Sequence, residues 1–316
     1  MSETVAVVLM SYGSPRSIEE IEPYYTDIRR GRPPTPEALA DLRARYEAIG
    51  GVDALATTTA RQRIALQRAL DELAPGRYDV QLGYKHADPK VAVTTERVAR
   101  EGARTIVGLT LAPHYSRASV GGYLAGLRSG AESSGAAPEL IEIESWATDP
   151  AYIDFLVGEV GGRRAALVDA GHRVRVLFTA HSLPERAVSG GDPYPRELRS
   201  TAEAVATRLG LDEQSDWSLG WQSAGRTEDA WLGPDILEVI DALADEGSGV
   251  DAVLACACGF VADHLEVRYD LDIEARQRAS ARGLAFDRTA SVADDAAVMA
   301  SLAGTVHDRV SAHGQR

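Results

Sequence analysis

Short apolar runs alternate along this chain with longer segments of helical periodicity, and this alternation limits the possible folds more than any other feature. Most of the short runs are continuous and rich in β-branched residues, which is typical of strands buried on both faces. Strands that alternate with helices form βαβ units, so the pattern predicts an α/β fold with parallel sheets flanked by helices. The predicted strands are Val5–Met10, Asp79–Tyr84, Thr105–Leu111, Leu140–Glu144, Val174–Ala180, Trp217–Gln222, Val253–Cys258 and Ala285–Arg288.

Several of the intervening helices have proline at or just before the first turn, where its missing N–H costs nothing. Predicted helices include Thr35–Ala48, Thr57–Leu73, Pro89–Glu101, Pro150–Ala170, Pro195–Leu209 and Pro234–Glu246. Eight strands divide naturally into two halves, which predicts an N-terminal domain over 1–146 and a C-terminal domain over 147–293. A final helix over 294–313 is placed with the first domain.

The charge balance and the absence of phosphate-binding motifs exclude several functional classes. Lysine and arginine number 33 against 47 aspartates and glutamates, a formal net charge of −14. This balance argues against a nucleic-acid partner and against an anionic membrane surface. The only lysines are Lys85 and Lys90, and neither lies in a GxxxxGK[ST] sequence, which excludes a P-loop. No GxGxxG follows a predicted strand, so the dinucleotide fingerprint is also absent.

The two cysteines, Cys256 and Cys258, are one residue apart, and they provide no disulfide framework. Their place in a predicted core strand favours small buried hydrophobes over metal ligands. The amino terminus lacks the basic start and long apolar stretch of a signal peptide. The longest uncharged apolar stretch, Ala252–Ala262, is too short to span a bilayer. These features predict a cytoplasmic protein.

Ligands of open parallel sheets bind beyond the carboxyl ends of the strands, so the turns that follow the predicted strands are the candidate site. Four of the seven histidines lie in these turns. His181 directly follows an apolar strand and precedes Ser182-Leu183-Pro184. One interpretation is a turn histidine that hydrogen-bonds the backbone. The other is an acid–base group or metal ligand, because imidazole titrates near neutrality.

Three acids, Glu266, Asp270 and Glu274, are spaced at i, i+4 and i+8. On a helix this spacing places three carboxylates on one face, where they repel one another. Neighbouring arginines could offset the repulsion on a solvated surface. Alternatively, the acids form a row of hard oxygen ligands for a divalent cation. HExxH and clustered cysteines are absent, which argues against a closed zinc site.

Arg29, Arg30 and Arg32 form a local basic cluster in an otherwise acidic chain. Guanidinium groups bind carboxylates bidentately, so the cluster could hold an acidic ligand. It could equally complement the dipole at the end of a helix.

Several motifs, taken together, closely resemble the ferrochelatase family, and they cover nearly the whole chain. They are Tyr12-Gly13-Ser14-Pro15, Arg45–Gly51, Leu111–Ser116, Phe178–Pro184, Gly191–Pro195, Trp221-Gln222-Ser223, Trp231–Asp235 and Gly259–Glu266. The likeness is greatest to the coproporphyrin III ferrochelatase branch of Gram-positive bacteria.

The resemblance implies two Rossmann-like domains, each with a four-stranded parallel sheet, and an active-site cleft between them. It implies a lyase of haem biosynthesis that inserts Fe²⁺ into coproporphyrin III, to give coprohaem, without an organic cofactor. The implied residues are His181 and Glu266 for catalysis; Tyr12, Arg29, Arg45 and Tyr123 for porphyrin binding; and His181, Glu266, Asp270, Glu274 and Tyr12 for metal binding.

Two departures from the family pattern stand out. The family often has Gly-Gly-x-Ser-Pro-Leu, whereas Gly50-Gly51 are followed here by Val52 and Asp53, so an acid replaces a serine that can donate to a propionate. Some relatives carry an iron–sulfur cluster on cysteines of a C-terminal extension. No cysteine follows Cys258, so no cluster is expected.

Three alternatives stay open from the sequence. They are a ferrochelatase acting on protoporphyrin IX, a chelatase inserting cobalt or nickel into another tetrapyrrole, and a haem or metal carrier without turnover. The expected partners are porphyrin and ferrous iron, with no nucleic acid and no integral membrane segment. The protein is expected to be a monomer, in transient contact at most with downstream enzymes of the haem pathway.

Overall fold

The computed structural model describes residues 4–52, 54–225, 227–245 and 249–314. These residues pack into two compact units, each built on one four-stranded parallel sheet with helices around it. The predicted α/β class, with two four-stranded parallel sheets, is confirmed. Among the described residues, no helix combines the length and apolar character that a bilayer span requires.

The first unit contains the chain up to Ala112, Ala118–Trp146, and the chain from Ala293 onward. Its elements are β1 (Val5–Ser11), α1 (Ile21–Ile28), α2 (Pro36–Ala48), α3 (Ala54–Leu73), β2 (Tyr78–Tyr84), α4 (Val91–Arg100), β3 (Thr105–Thr110), α5 (Val120–Ser134), β4 (Glu139–Ile143) and α12 (Ala296–His313). The strand order is β2-β1-β3-β4. Helix α4 packs on α5, and the C-terminal α12 packs on α3.

The second unit contains Pro113–Arg117 and Ala147–Val292. Its elements are α6 (Pro150–Asp169), β5 (Val174–His181), α7 (Glu185–Val188), α8 (Tyr194–Leu209), β6 (Trp217–Gln222), α9 (Ile236–Asp245), β7 (Ala252–Cys256), α10 (Leu265–Arg268), α11 (Arg276–Ala281) and β8 (Ala285–Arg288). A π-helical turn, Asp270–Ala275, separates α10 from α11.

Strands β1 and β5 occupy equivalent places in their sheets. The second sheet has the order β6-β5-β7-β8, so each of these strands lies between the next two strands of its unit. The chain crosses to opposite sides of the sheet at this point, and ligands of open α/β sheets bind at such a switch. The carboxyl ends of β1 and β5 are therefore the places to look for a site.

The core explains why the strands can be predicted from local sequence. All seven residues of β1 and all five of β7 are buried, as expected for strands covered by helices on both faces. The observed strand ends differ from the predicted ones by no more than two residues. The apolar runs therefore locate the sheets correctly.

Helix α5 is not among the helices named in the sequence analysis, and it is rich in glycine. Glycine costs about 1 kcal/mol relative to alanine in a helix. The packing of α5 against α4 requires it: a Cβ on Gly130 would lie 2.2 Å from the carbonyl oxygen of Ala92. Contact between the two helices therefore outweighs the low helix propensity.

A short segment from the first half of the chain, Pro113–Arg117, completes the second unit. The N–H of Tyr115 donates to Oε2 of Glu197 at 2.7 Å, and the N–H of Arg117 donates to Oδ2 of Asp192 at 2.9 Å. The predicted boundary places this segment within 1–146, and its hydrogen bonds to Glu197 and Asp192 explain the difference. The division into domains 1–146 and 147–293 stays a prediction about independently folding parts.

The predicted strand Val253–Cys258 is too long at its carboxyl end. Strand β7 ends at Cys256, and the chain then turns, with the N–H of Cys258 donating to the carbonyl of Cys256 at 2.8 Å. Both thiols are free and buried. The Cys258 thiol donates to the carbonyl oxygen of Thr179, at 3.7 Å from Sγ, inside the core of the second unit.

Candidate active site

His181 is the last residue of β5, at the carboxyl edge of the second sheet. Its Nδ1–H donates to the carbonyl oxygen of Ser182, because a carbonyl can only accept. In the neutral imidazole the other nitrogen, Nε2, then carries the lone pair. Nε2 lies 3.6 Å from Oε1 of Glu266, and the two side chains are 33% and 34% exposed. His181 thus makes a backbone bond through one nitrogen and leaves the other for proton chemistry.

Glu266 lies in α10, which begins directly after His264. Nδ1 of His264 accepts the N–H of Val267 at 3.2 Å, so Nε2 carries the proton of the neutral ring. That Nε2 lies 3.7 Å from Oε2 of Glu266. The carboxylate of Glu266 therefore has one imidazole at each oxygen.

The charges of these groups follow from their surroundings. Burial acts to lower the pKa of His181, but the Glu266 carboxylate, the bond to Ser182 and the charge of Asp270 outweigh it and raise the pKa to about 9. Burial acts to raise the pKa of Glu266, but His181 and His264 outweigh it and hold that pKa well below its ordinary value. Burial lowers the pKa of His264. At neutral pH the substrate-free pair is an imidazolium and a carboxylate.

Replacing Glu266 with glutamine should lower the pKa of His181 from about 9, because burial then acts with much less opposition. An NMR titration of the imidazole signals in the metal-free protein measures this change. His172, whose Nδ1 lies 3.0 Å from Asp251 at the opposite edge of the same sheet, provides an internal reference in the same spectra. An identical His181 titration in wild type and Glu266→Gln would show that Glu266 does not hold the proton.

Contacts from β6 and α8 fix the backbone on both sides of the pair. Gln222 is fully buried; its Oε1 accepts from the Thr179 hydroxyl at 2.9 Å, and its Nε2 donates to the carbonyl of Glu266 at 3.1 Å. The hydroxyl of Tyr194 donates to the carbonyl of His181 at 2.9 Å. Gln222 therefore links β5 to the helix that carries Glu266.

Two of the sequence motifs pair with each other beside His181. The Ser182 hydroxyl donates to the carbonyl of Leu232 at 2.7 Å, and the N–H of Leu232 donates to the carbonyl of Leu183 at 2.9 Å. The loop that follows β5 is thereby tied to the segment that precedes α9.

The three spaced acids do not lie on one regular α-helix, the arrangement that would bring all three carboxylates to one face. Helix α10 is only four residues long, and Asp270–Ala275 winds as a π-helical turn. The N–H of Glu274 bonds to the carbonyl of Tyr269, five residues back, at 3.0 Å. π-Helical turns are rare in proteins, and those that occur are often found at functional sites.

Asp270 is the most enclosed of these acids, at 8% exposure. Its carboxylate accepts the hydroxyl of Ser223, whose backbone has an unusual positive φ of 62°. Asp270 also acts electrostatically on His181, whereas Glu274 is half-buried farther along the turn. Within the described ranges, no three His, Cys, Asp or Glu side chains form a group that could hold a metal ion.

Tyr12 directly follows β1, at the equivalent edge of the first sheet, and is 36% exposed. Its ring lies against His86, with centroids 4.7 Å apart. Nδ1 of His86 lies 2.7 Å from Oδ2 of Asp27, and the same oxygen lies 2.9 Å from Nζ of Lys90. Tyr12 therefore rests on a cluster of charged and titratable side chains.

The other predicted porphyrin contacts lie on, or directly after, helices of the first unit. Arg29 follows α1 directly and stacks over a tyrosine of that helix, 5.6 Å from its centroid. Arg45 in α2 pairs with Asp41 at 3.2 Å. Tyr123 in α5 is buried beneath Lys85, whose ammonium lies 5.1 Å from the ring centroid. Asp53, noted above for its departure from the family pattern, lies outside the described residues.

Four residues of these surroundings were not singled out from the sequence: Lys85, His86, Gln222 and His264. A signal was present for three of them. His86 and His264 lie in turns after predicted strands, and Lys85 is one of only two lysines in the chain. Gln222 carried no such signal beyond its place in a motif.

A family model described as Ferrochelatase matches residues 4–310 of the chain. The chain belongs to the ferrochelatase family. The family predicted from the motifs is thereby confirmed, and with it the enzyme class, a metal chelatase and lyase of porphyrin and haem biosynthesis.

Similar ferrochelatases extend over nearly the full chain. A protein named Ferrochelatase from Herpetosiphon aurantiacus is 41% identical, covering 94% of this chain and 96% of the relative. A Coproporphyrin III ferrochelatase from Halalkalibacterium halodurans is 41% identical, covering 90% of each chain. Another from Geobacillus kaustophilus is 36% identical, covering 100% of this chain and 99% of the relative.

Solved chelatase structures share the fold of this ferrochelatase. SirB from Bacillus subtilis with Fe³⁺ aligns with a TM-score of 0.58 at 12% identity, covering 99% of this chain and 98% of the other. CbiX, described as the terminal enzyme of sirohaem biosynthesis in denitrifying bacteria, aligns with a TM-score of 0.51 at 14% identity, covering 97% and 99%. At such identities the likeness concerns the fold alone.

Proposed function

We propose that this ferrochelatase inserts Fe²⁺ into coproporphyrin III, yielding coprohaem and two protons. The observation that carries the proposal is the His181–Glu266 pair, 3.6 Å apart at the carboxyl edge of the second sheet. It combines a proton acceptor with a hard oxygen ligand at a switch point of the fold. The choice of porphyrin is supported by the relatives from Halalkalibacterium halodurans and Geobacillus kaustophilus, both named Coproporphyrin III ferrochelatase.

His181 is proposed to accept the pyrrole protons at Nε2 one at a time, releasing each to solvent, to which its side chain is 33% exposed. A free porphyrin holds two N–H protons, and both must leave as the metal enters. Because Glu266 holds a proton on Nε2 in the substrate-free protein, the imidazole must first lose it. A cation that binds the Glu266 carboxylate opposes that attraction and adds its own repulsion. Metal arrival at Glu266 therefore makes Nε2 available as a base.

Glu266, Asp270 and Glu274 are proposed to deliver the metal. Carboxylates are hard oxygen ligands that exchange first-row divalent cations readily, which suits a cation that is passed on as substrate. His181 and Tyr12 complete the proposed metal-contacting set. Asp270 is enclosed and bonded to Ser223, so its oxygens have a fixed direction.

Arg29 and Arg45 are proposed to bind propionates, with Tyr12 and Tyr123 contacting the macrocycle. Among the described contacts, Nε of Arg29 donates to the carbonyl oxygen of Arg32, and Arg45 pairs with Asp41 at i,i+4. A surface ion pair such as Arg45–Asp41 is worth about 0–1 kcal/mol, so exchanging it for a pair with a propionate costs little.

Four further expectations accompany this proposal. The reaction is expected to need no organic cofactor. No iron–sulfur cluster is expected either, because a cluster takes four ligands and Cys256 and Cys258 supply only two thiols. The protein is expected to act in the cytoplasm. It is expected to be a monomer that passes its product on by transient contact.

The test is anaerobic insertion of Fe²⁺ into coproporphyrin III and protoporphyrin IX, assayed side by side. Coproporphyrin carries two extra propionates, and each charge-assisted hydrogen bond is worth about 1.5–3 kcal/mol. We expect kcat/KM for coproporphyrin III to be higher by at least about tenfold, the effect of 1.4 kcal/mol. Equal or better use of protoporphyrin IX would refute the proposed substrate.

Arg45→Gln should reduce this preference, with Arg68→Gln as the matched control. Arg68 lies on α3 and pairs with Glu72 at i,i+4, as Arg45 pairs with Asp41. A loss of preference confined to Arg45→Gln would support propionate binding, and equal behaviour of the two variants would contradict it.

A further inference from the structure

Arg288, at the end of β8, joins the two segments that carry the proposed metal-binding acids. Its side chain is only 13% exposed. Nη1 and Nη2 donate to the two oxygens of Asp263 at 3.2 and 3.1 Å, and Nε and Nη2 donate to the two oxygens of Asp272 at 2.6 and 2.9 Å. We call Arg288, Asp263 and Asp272 the Arg288 clamp.

The clamp uses the full donor capacity of arginine. A guanidinium has five N–H groups in a fixed plane. Four serve the two carboxylates, and the fifth donates from Nη1 to the carbonyl of Thr289 at 3.1 Å. Asp263 is held further by the hydroxyl of Ser291 at 2.6 Å. A lysine has three donors without the planar fork, so it cannot reproduce this geometry.

The positions of the clamped acids relate them to the site. Asp263 precedes His264, which caps the helix of Glu266, and Asp272 lies in the π-helical turn that contains Asp270. Arg288 itself is fixed by the sheet, where it is the register partner of Ala255. The clamp therefore anchors both segments to the same strand of the sheet.

We propose that Arg288 is a positioning residue for iron delivery: it sets Glu266 and Asp270 in register against His181 by holding Asp263 and Asp272. This inference rests on the proposed function of those acids. Arg288 touches neither porphyrin nor iron in this proposal. Loss of Arg288 should therefore lower kcat/KM for Fe²⁺ far more than it lowers the affinity for porphyrin.

The test compares Arg288→Lys with the control Arg276→Gln. Arg276 also bonds to β8, through the carbonyl of Phe286 at 3.0 Å, but reaches neither clamped acid in the described contacts. We expect Arg288→Lys to lower kcat/KM for Fe²⁺ by about tenfold or more, the effect of losing one charged hydrogen bond. Porphyrin affinity, measured by fluorescence quenching, should stay within about twofold of wild type. Arg276→Gln should change neither quantity.

Equal losses toward iron and porphyrin, or full activity in Arg288→Lys, would overturn the proposal. Asp272→Asn provides a second variant that keeps the side chain's shape and weakens one arm of the clamp. It should produce a smaller loss in the same direction, specific to Fe²⁺. An Asp272→Asn variant with wild-type kinetics would also contradict a positioning role.

A binding measurement separates this inference from the proposed function. Anaerobic calorimetric titration of the porphyrin-free protein with Fe²⁺ reports delivery without turnover. If wild type inserts no iron into any porphyrin, the proposed function fails. Weaker Fe²⁺ binding in Arg288→Lys than in Arg276→Gln would still support the clamp, and equal binding would reject it.

Discussion

Replacing His181 with alanine should lower kcat for iron insertion by about 10²–10⁴-fold, the usual contribution of a positioned acid–base group. Nε2 of His181 is the proposed acceptor of the pyrrole protons, and alanine offers no replacement. Porphyrin binding should be nearly unchanged, because the proposed porphyrin contacts lie on other side chains. Single-turnover insertion assays with fluorescence titration of the porphyrin measure the two effects separately.

His172→Ala is the matched control for this experiment. His172 belongs to the same unit and also faces a carboxylate, that of Asp251 at 3.0 Å, but at the amino edge of the sheet. Its removal should leave insertion unchanged. Substantial turnover in a folded His181→Ala protein would sink the role of His181 as proton acceptor.

Replacing Asp270 and Glu274 together with alanine should lower kcat/KM for Fe²⁺ by about 10–100-fold. This range corresponds to the 1.5–3 kcal/mol of a hydrogen bond or ligand contact to a charged group. KM for the porphyrin should change little, because the acids are proposed to supply metal only. Initial rates at varied Fe²⁺ and fixed porphyrin, and the reverse, measure the split.

Two surface acids of the same unit serve as the control pair, Asp241→Asn with Glu203→Gln. Asp241 pairs with Arg278 at 3.1 Å, and Glu203 pairs with Arg199 at 3.6 Å. The double alanine variant and the control pair each remove two negative charges, so the change in general electrostatic attraction of the cation is the same in both. If kcat/KM for Fe²⁺ falls as much in the control pair as in the double alanine variant, Asp270 and Glu274 act only through the protein's net charge.

The sheets are predictable from sequence because their signal is local. A strand covered on both faces is apolar over most of its length: β1 is apolar from Val5 to Met10, and β7 is apolar throughout. Helix α5 depends more on tertiary contacts. Its glycines weaken it in isolation, and its stability depends on close contact with α4, as the 2.2 Å approach at Gly130 indicates.

The candidate site divides along the same line. The family motifs identify His181 and Glu266 by resemblance, and the turn positions suggest His181 independently. The spacing of Glu266, Asp270 and Glu274 would place their carboxylates on one face of an α-helix, yet the chain forms a π-helical turn. Spacing of four residues does not distinguish hydrogen bonds to the fourth residue back from bonds to the fifth, so the sequence pattern could not decide this point.

The fold class, the family and the residues of the proposed chemistry can be inferred from the amino-acid sequence, because apolar runs and motifs are properties of neighbouring residues. The protonation and the hydrogen-bond partners of those residues depend on the folded protein. The carboxylate of Glu266, which lies after β7, raises the pKa of His181, and burial in the packed unit acts to lower that pKa. The Arg288 clamp likewise joins residues that are separate in sequence and meet only when β8 enters the sheet. Charge state and donor geometry depend on distances through space, which the order of residues along the chain does not contain.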